Sequence, residues 1–373
     1  MTSLRVMIAG GGTGGHLFPA IALGDEILAR GGVVRFVGTA AGLEARVLPA
    51  RGYDLKLIDV SGLKRMGAAG LARGLLKLPA AAWQSRAAVR EFQPDVVVGV
   101  GGYASGPVVL AAALAGCPTA VMEQNSIPGV TNRILGRVCR RVYIALEPAR
   151  PYFPERKTML LGNPVRPAIR AVAAAPAPGG ARPRVLAVGG SQGAHVVNEH
   201  LAQAVALLRQ RGRAFTLLHQ TGAADEAPIG ARYRELDPDG AALEARAFVE
   251  DMATAYREAD LVVGRAGATT IAELCAVGRP SLLVPFPFAA DNHQEVNARV
   301  LERAGAAAVL LQGQLSPERL ADALDALLGD APARAHMAAA ARELGRPDAA
   351  RDIADDLERL ARPASAAFTV RSA

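Results

Sequence analysis

Cysteine is scarce in this 373-residue chain, and its three copies, Cys117, Cys139 and Cys275, stand far apart. Their odd number and wide spacing exclude a disulfide framework and a cysteine zinc site, and they favour a reducing compartment. Aromatics are nearly as sparse, at 4% with a single tryptophan. The basic stretch described below is interleaved with aliphatic residues where a nucleic-acid binder would carry stacking aromatics, so nucleic acid is not an expected partner. No secretory signal is expected, because Met1, Thr2 and Ser3 lead straight into a strand-like run. One long charge-free run does exist, over residues 96–122, but its interior GVGGYASGP would break a spanning helix. It reads as a strand at 95–100, a loop at 101–106 and a helix whose first turn holds Pro107. A soluble protein is therefore expected.

What is present is the composition of a folded protein, 51% hydrophobic and 21% charged, with 39 glycines and 24 prolines punctuating many short elements. The length fits two domains. Each half opens on the same device: an apolar run breaks into a glycine cluster and then a helical pattern, at residues 4–16 (LRVMIAGGGTGGH) and again at 184–194 (RVLAVGGSQGA). Short apolar runs bounded by glycine read as buried parallel strands. Glycine lets the backbone approach a ligand at the positive end of the following helix. The expected class is α/β, with two Rossmann-like domains whose parallel sheets face a central cleft. Gly10, Gly12 and Gly15 satisfy GxGxxG. The second strand, residues 33–37, however ends in Gly38 and Thr39, where a nicotinamide-dinucleotide site needs an acid on the ribose, and this counts against NAD.

Net charge is +7, and it is concentrated. Residues 46–90 hold nine Lys/Arg against two Asp, a net of +7, so the rest of the chain is close to neutral. Such a patch favours an anionic partner. Within it, residues 61–90 interleave cations with apolar side chains, among them Leu75, Leu76, Lys77 and Trp83. Two readings are open. The stretch is either an amphipathic helix packed on its own domain or a surface whose apolar residues enter a lipid interface while its cations meet anionic headgroups.

A strand at 118–122 delivers Glu123, Gln124, Asn125 and Ser126 to its carboxyl end, the edge where open α/β sheets bind ligands. Residues 171–183, rich in Ala, Pro and Gly, read as a linker, and 364–373 as a frayed tail. In the second half a strand at 259–263 leads into GRAGATT (264–270) and a helix. Thr270 and Glu273 have the spacing of a capping box, which alone would account for the glutamate.

Taken together, GGTGGH (11–16), GGYASGP (101–107), EQN (123–125), GNPVR (162–166), GGSQGA (189–194), GRAGATTIAE (264–273) and DNHQEVNA (291–298) follow one another as in a known family. The chain resembles, over nearly its whole length, the MurG family of N-acetylglucosaminyltransferases, which complete the lipid-linked disaccharide of bacterial peptidoglycan. The resemblance implies a GT-B fold, UDP-N-acetylglucosamine (UDP-GlcNAc) as donor and an undecaprenyl-diphosphate muramyl-pentapeptide as acceptor. It also implies work at the cytoplasmic face of the inner membrane, on an anionic lipid surface, with no cofactor. The domain division it suggests is 1–165 for acceptor and membrane, 166–183 as linker, 184–340 for the donor, and 341–373 for a C-terminal helix returning to the first domain with its tail.

Residue by residue, the resemblance places Thr13, Gly14 and Gly15 near the donor and catalytic centre, with His16 as general base and Glu123 as the alternative. Gly101, Gly102, Tyr103 and Ser105 belong to the acceptor loop. Asn125 and Gln294 are implied for the donor sugar, Arg166 and Ser191 for the nucleotide side, and Phe248 with Val249 for the uracil. Thr269 and Thr270 are implied for the phosphates and Glu273 for the ribose. Met122 stands where the family commonly has His, so a proton-transfer role for that His does not carry over.

The implied reaction displaces UDP with inversion through an oxocarbenium-like transition state. Helix N-termini at 191–194 and 267–270 would stabilise the departing charge, which makes a metal unnecessary. DPDG (237–240) matches a metal-binding DxD in letters, yet Pro-Asp-Gly is ordinary turn chemistry. Two rivals stand beside this reading. A UDP-GlcNAc 2-epimerase shares the fold and the donor but needs no lipid, and a basic nucleic-acid binder leaves the glycine loops unexplained. His16 has its own alternative, as a histidine that fills the start of a helix.

Overall fold

The structure, a computed structural model, describes residues 3–60, 68–172, 182–189 and 194–362, with the backbone alone described over 68–78. It divides into two units. The first comprises Met1–Gln124, Pro128–Pro164 and Asp348–Ala373, and the second Asn125–Ile127 and Val165–Pro347.

The first unit is built on β1 (Arg5–Ala9), β2 (Val33–Gly38), β3 (Asp54–Leu57), β4 (Val96–Gly99), β5 (Thr119–Glu123), β6 (Arg141–Ile144) and β7 (Thr158–Leu160), in the order β3-β2-β1-β4-β5-β6-β7. Every pairing is parallel. The central strands are buried almost throughout, which is why β4 reads as an unbroken valine run and not as an alternation. The strands expected at 33–37, 95–100 and 118–122 lie within one residue of those bounds, and Pro107 sits in the first turn of helix Ser105–Leu114. One face of the sheet packs Leu17, Ile21 and Ile27 of helix Gly14–Ala29 with Ile353 and Leu357 of helix Ala349–Ala361. The other packs Phe92 of helix Ala68–Phe92, Val108 of Ser105–Leu114 and Leu135 of helix Val130–Val138. Each such buried aliphatic contributes about 2 kcal/mol.

The second unit carries β8 (Arg184–Val188), β9 (Thr216–Gln220), β10 (Leu243–Arg246), β11 (Leu261–Gly264), β12 (Ser281–Leu283) and β13 (Ala307–Val309), in the order β10-β9-β8-β11-β12-β13 and again all parallel. Two expected boundaries differ. The linker at 166–183 begins as a helix, Pro167–Val172, with Ile169 buried; Pro167 stands at its first position, where a missing N–H costs nothing. Residues 173–181 lie outside the described residues. The chain rejoins the first unit at Asp348 and not at 341, because helix Ala331–Leu344 packs on helix Ala268–Val277 of the second unit. The tail expected to fray, 364–373, also lies outside the described residues.

In each sheet the strand order reverses beside the first strand: β1 pairs with β2 and β4, and β8 with β9 and β11. Loops leaving the carboxyl ends of such neighbours diverge, and ligands bind where they part. The first glycine motif sits at one of these points, and Gly189, the residue after β8, stands at the other.

Candidate active site

In the first unit Ala9 ends β1 beside Gly99 of β4, so two glycine loops leave the sheet together. Gly11 N–H donates to the Gly101 carbonyl at 3.2 Å. A Cβ on Gly10 would come within 2.1 Å of the same oxygen, so no side chain fits there. The acid missing from the end of β2 is supplied from elsewhere. Glu44, fully buried, accepts from Gly12 N–H at 2.6 Å, Thr39 N–H at 2.9 Å and Thr39 Oγ1 at 3.1 Å. A loop amide already holding a carboxylate cannot cradle a pyrophosphate, which is a further reason against a dinucleotide here. Sequence reasoning missed Glu44. Its signal was three glycines, Gly11, Gly38 and Gly42, whose Cβ atoms would meet its side chain at 2.5, 2.4 and 2.2 Å.

Helix Gly14–Ala29 begins from Thr13, which is exposed and extended and gives no side-chain cap; Gly14 and Gly15 are half-buried. His16 lies in the first turn without capping it. Its Nδ1 is 3.0 Å from Gln124 Oε1. Glu123, the alternative base, is buried, and its Oε2 accepts from Asn132 Nδ2 at 2.9 Å and Gly129 N–H at 3.3 Å. That carboxylate fastens the start of the next helix. On the acceptor loop Gly101 and Gly102 adopt φ of +95° and +80°, and Tyr103 is exposed. Ser105 is fully buried, its hydroxyl has no hydrogen-bond partner among the described residues, and a Cβ on Gly99 would lie 2.4 Å from its Oγ, so it packs inward at the helix start. Met122 is buried in the core with Ile8 and Val98, a position without proton chemistry.

In the second unit Asn125 is held by Asn297, whose Nδ2 donates to Asn125 Oδ1 at 3.3 Å and to the Ala266 carbonyl at 3.2 Å. Asn297 Oδ1 accepts from Ser126 N–H at 2.9 Å. This buried asparagine, given no role by the sequence, thus ties the strip at 125–127 to the loop before helix Ala268–Val277. That helix starts from Gly267 and not from Thr270, so Thr269 and Thr270 occupy its first turn and the expected capping box does not form. Glu273, 4% exposed, turns elsewhere. Its Oε1 accepts from Arg166 Nε at 3.0 Å and Nη2 at 2.8 Å, and its Oε2 from Tyr256 Oη at 3.1 Å. Burial raises its pKa against the opposing pull of Arg166.

Val249 N–H donates to Gln220 Oε1 at 3.0 Å, with both residues buried, while Phe248 is exposed. Gln294 Oε1 accepts from Phe286 N–H at 3.0 Å, which leaves its NH2 as the donor end. The same loop holds Asp291 and Asn292 at φ of 53° and 54°, strained left-handed conformations of the kind found at ligand clamps. Arg265, unnoticed in the sequence, is half-buried. It donates to the Val284 and Pro285 carbonyls at 3.0 and 3.2 Å and to Gln312 Oε1 at 2.7 Å, and burial lowers its pKa to about 10. Neutral acceptors therefore surround a desolvated cation in the loop before helix Ala268–Val277. Asp237 is a turn residue: its Oδ2 accepts from Ala242 and Leu243 N–H at 2.7 and 3.0 Å, and those bonds hold its carboxyl below the usual range. A cavity of about 510 Å³ opens at the amino ends of β8 and β9, with Leu243 and Val249 in its lining. Ser191 lies outside the described residues, as do the side chains of Leu75, Leu76 and Lys77.

Residues 6–144 match the glycosyltransferase family 28 N-terminal domain, and residues 184–353 match its C-terminal domain. The chain belongs to glycosyltransferase family 28. Within family 28 it is 49% identical over 363 residues, 96% of this chain and 94% of the other, to a UDP-N-acetylglucosamine--N-acetylmuramyl-(pentapeptide) pyrophosphoryl-undecaprenol N-acetylglucosamine transferase of Anaeromyxobacter sp. (strain Fw109-5). The crystal structure of Acinetobacter baumannii MurG superposes with a TM-score of 0.78 at 31% identity, covering 95% of this chain and 99% of that one, and the two parallel sheets are those of the GT-B fold. A putative UDP-N-acetylglucosamine 2-epimerase from Listeria monocytogenes reaches 0.67 at 14% identity, covering 96% of each chain, and shares the fold alone.

Proposed function

We propose that this family 28 member transfers N-acetylglucosamine from UDP-GlcNAc to the C4 hydroxyl of the muramyl sugar of undecaprenyl-diphosphate-MurNAc-pentapeptide (lipid I), giving lipid II. The observation that carries this reading is 49% identity, sustained over 96% of the chain, to a transferase so named. The acceptor hydroxyl attacks the anomeric carbon on the face opposite UDP. The bond from that carbon to the β-phosphate oxygen breaks, configuration inverts, and the hydroxyl proton passes to Nε2 of His16. Charge gathering on the leaving UDP meets the N-terminus of helix Ala268–Val277 at Thr269 and Thr270, and the guanidinium of Arg265. With these groups neutralising the leaving group, no step is routed through a metal. Glu273, steadied by Arg166 and Tyr256, takes the ribose hydroxyls. Asn125 and Gln294 take the sugar. Uracil takes the backbone at 248 and 249, displacing Gln220 from the Val249 amide.

The acceptor's lipid calls for a membrane-facing surface, and we place the protein as a peripheral enzyme on the cytoplasmic face of the inner membrane. Among the described residues no helix is long and apolar enough to cross a bilayer. Trp83 is 72% exposed on helix Ala68–Phe92, and Leu114 is 85% exposed on the adjacent helix Ser105–Leu114. Helix Val130–Val138, next in line, turns Val130, Ile134 and Val138 outward as one stripe four residues apart, with exposed Arg137 and Arg140 beside it. Apolar side chains rimmed by cations suit an anionic headgroup layer.

The test is to incubate the protein with UDP-GlcNAc, with and without a lipid-linked muramyl-pentapeptide analogue, and to identify products by mass spectrometry and NMR. A β-linked disaccharide formed only with acceptor is expected. An epimerised UDP-sugar formed without acceptor would hand the reaction to an isomerase, and no turnover with either would sink the acceptor assignment.

A further inference from the structure

Gln124 follows β5 directly and is 1% exposed. Its Nε2 donates to the Val100 carbonyl at 3.1 Å and to the Met122 carbonyl at 3.4 Å. Both partners are acceptors only, so the NH2 end of the amide belongs there; the reverse orientation would set three oxygens against one another. The amide oxygen is thereby aimed at His16, 3.0 Å from Nδ1. An amide oxygen cannot donate. A neutral imidazole satisfies it only by carrying its proton on Nδ1, which leaves the lone pair on Nε2.

The ring is held from a second side. A Cβ on Gly101 would lie 2.9 Å from His16 Cε1 and 3.1 Å from its Nδ1, and Gly101 keeps a φ of +95° that disfavours any side chain. Gly101 therefore lets the imidazole lie flush against the backbone, where Gln124 can reach it.

We infer that Gln124 is a positioning residue that fixes His16 in the Nδ1–H tautomer and so makes Nε2 the proton-accepting atom. The inference rests on the reading of His16 as general base. A neutral carboxamide orients the ring as the carboxylate of a catalytic triad does, but without a buried negative charge to hold the imidazolium once it has formed. That arrangement suits a base that must release its proton before the next turnover.

The test reads the tautomer directly. The full chain, with histidines labelled by nitrogen-15, gives long-range proton–nitrogen correlations at about pH 8.5, where an ordinary imidazole is neutral, and His16→Gln assigns the His16 signals by their loss. Wild type is compared with Gln124→Leu and Gln124→Glu. Both variants lose the bonds to the Val100 and Met122 carbonyls, but only the glutamate keeps an acceptor for Nδ1–H. Expected are Nδ1–H in wild type and Gln124→Glu, and a shift toward Nε2–H in Gln124→Leu. In the leucine variant kcat should fall by at least about tenfold, with partial recovery in the glutamate variant. KM for UDP-GlcNAc should stay within about twofold. An Nε2–H wild-type ring overturns the inference even if neither variant folds, and so does an unchanged tautomer in Gln124→Leu. Should the tautomers behave as expected while His16→Ala turns over like wild type, the tautomer assignment stands and the reading of His16 as base fails.

Discussion

At position 273 a glutamate three residues after a threonine has the spacing of a capping box, yet the helix begins from Gly267 and the carboxylate turns to Arg166 and Tyr256. Buried and already ordered, Glu273 suits a ribose contact that works in binding more than in chemistry. Glu273→Ala should raise KM for UDP-GlcNAc by about 30-fold, the ~2 kcal/mol of a charged hydrogen bond, with a smaller change in kcat. His16→Ala should do the reverse, lowering kcat by at least about tenfold, and a near-wild-type rate would remove it as base. A different histidine contributes to the acid sensitivity of the fold. His219 is fully buried between Tyr233 at 2.8 Å and Asn198 at 3.1 Å, and burial lowers its pKa from 6.5 to about 3. Below pH 6.5 the unfolded chain takes up a proton that the folded chain refuses. This group therefore removes stability as pH falls toward 3, at about 1.4 kcal/mol per pH unit. Urea midpoints measured against pH should give a shallower acid slope for His219→Gln, and an unchanged slope would place the acid sensitivity elsewhere.

At the scale of elements, the glycine loops are where local pattern and long-range packing agree. Gly10, Gly11, Gly101 and Gly102 hold positive φ where the two loops touch, and Gly101 also borders the His16 ring. Gly101→Ala should cost about 1–3 kcal/mol of backbone strain and displace the imidazole, so kcat should fall while circular dichroism at 20 °C stays native. The membrane surface we propose on helices Ala68–Phe92 and Val130–Val138 is tested at the same scale. Trp83→Ser combined with Ile134→Ser should weaken binding to anionic vesicles by at least about tenfold, since each exposed apolar side chain contributes of order 1 kcal/mol or more on entering the interface. Co-sedimentation with anionic and neutral liposomes checks this, and equal binding by wild type and variant would move the membrane surface elsewhere.

Across the whole molecule, the chain leaves the first unit at Pro164 and returns at Asp348, and the returning helix Ala349–Ala361 completes one face of the first core. Its anchor is polar as well as apolar. Buried Asp356 accepts from Tyr143 Oη at 2.9 Å and from Arg141 Nε at 3.1 Å. Asp356→Ala leaves a fully buried phenol without its acceptor, so thermal unfolding should show a loss of about 1–3 kcal/mol. An unchanged melting temperature would mean that the helix is held by its aliphatic face alone.

What the sequence by itself determined is short-range. Apolar runs cut by glycine specify buried parallel strands and the turns that follow them, and the order of the motifs is enough to place the chain in its family. Those features depend on residues within a few positions of one another, so they are legible without coordinates. The tertiary structure alone decided which side chains meet. Glu44 reaches Gly12 across 32 residues, His16 reaches Gln124 across 108, and Arg166 reaches Glu273 across 107. Partners so far apart are chosen by strand order and register, which no periodicity reports, and it is on these partners that the proposed roles of His16 as base and Glu273 as ribose contact rest.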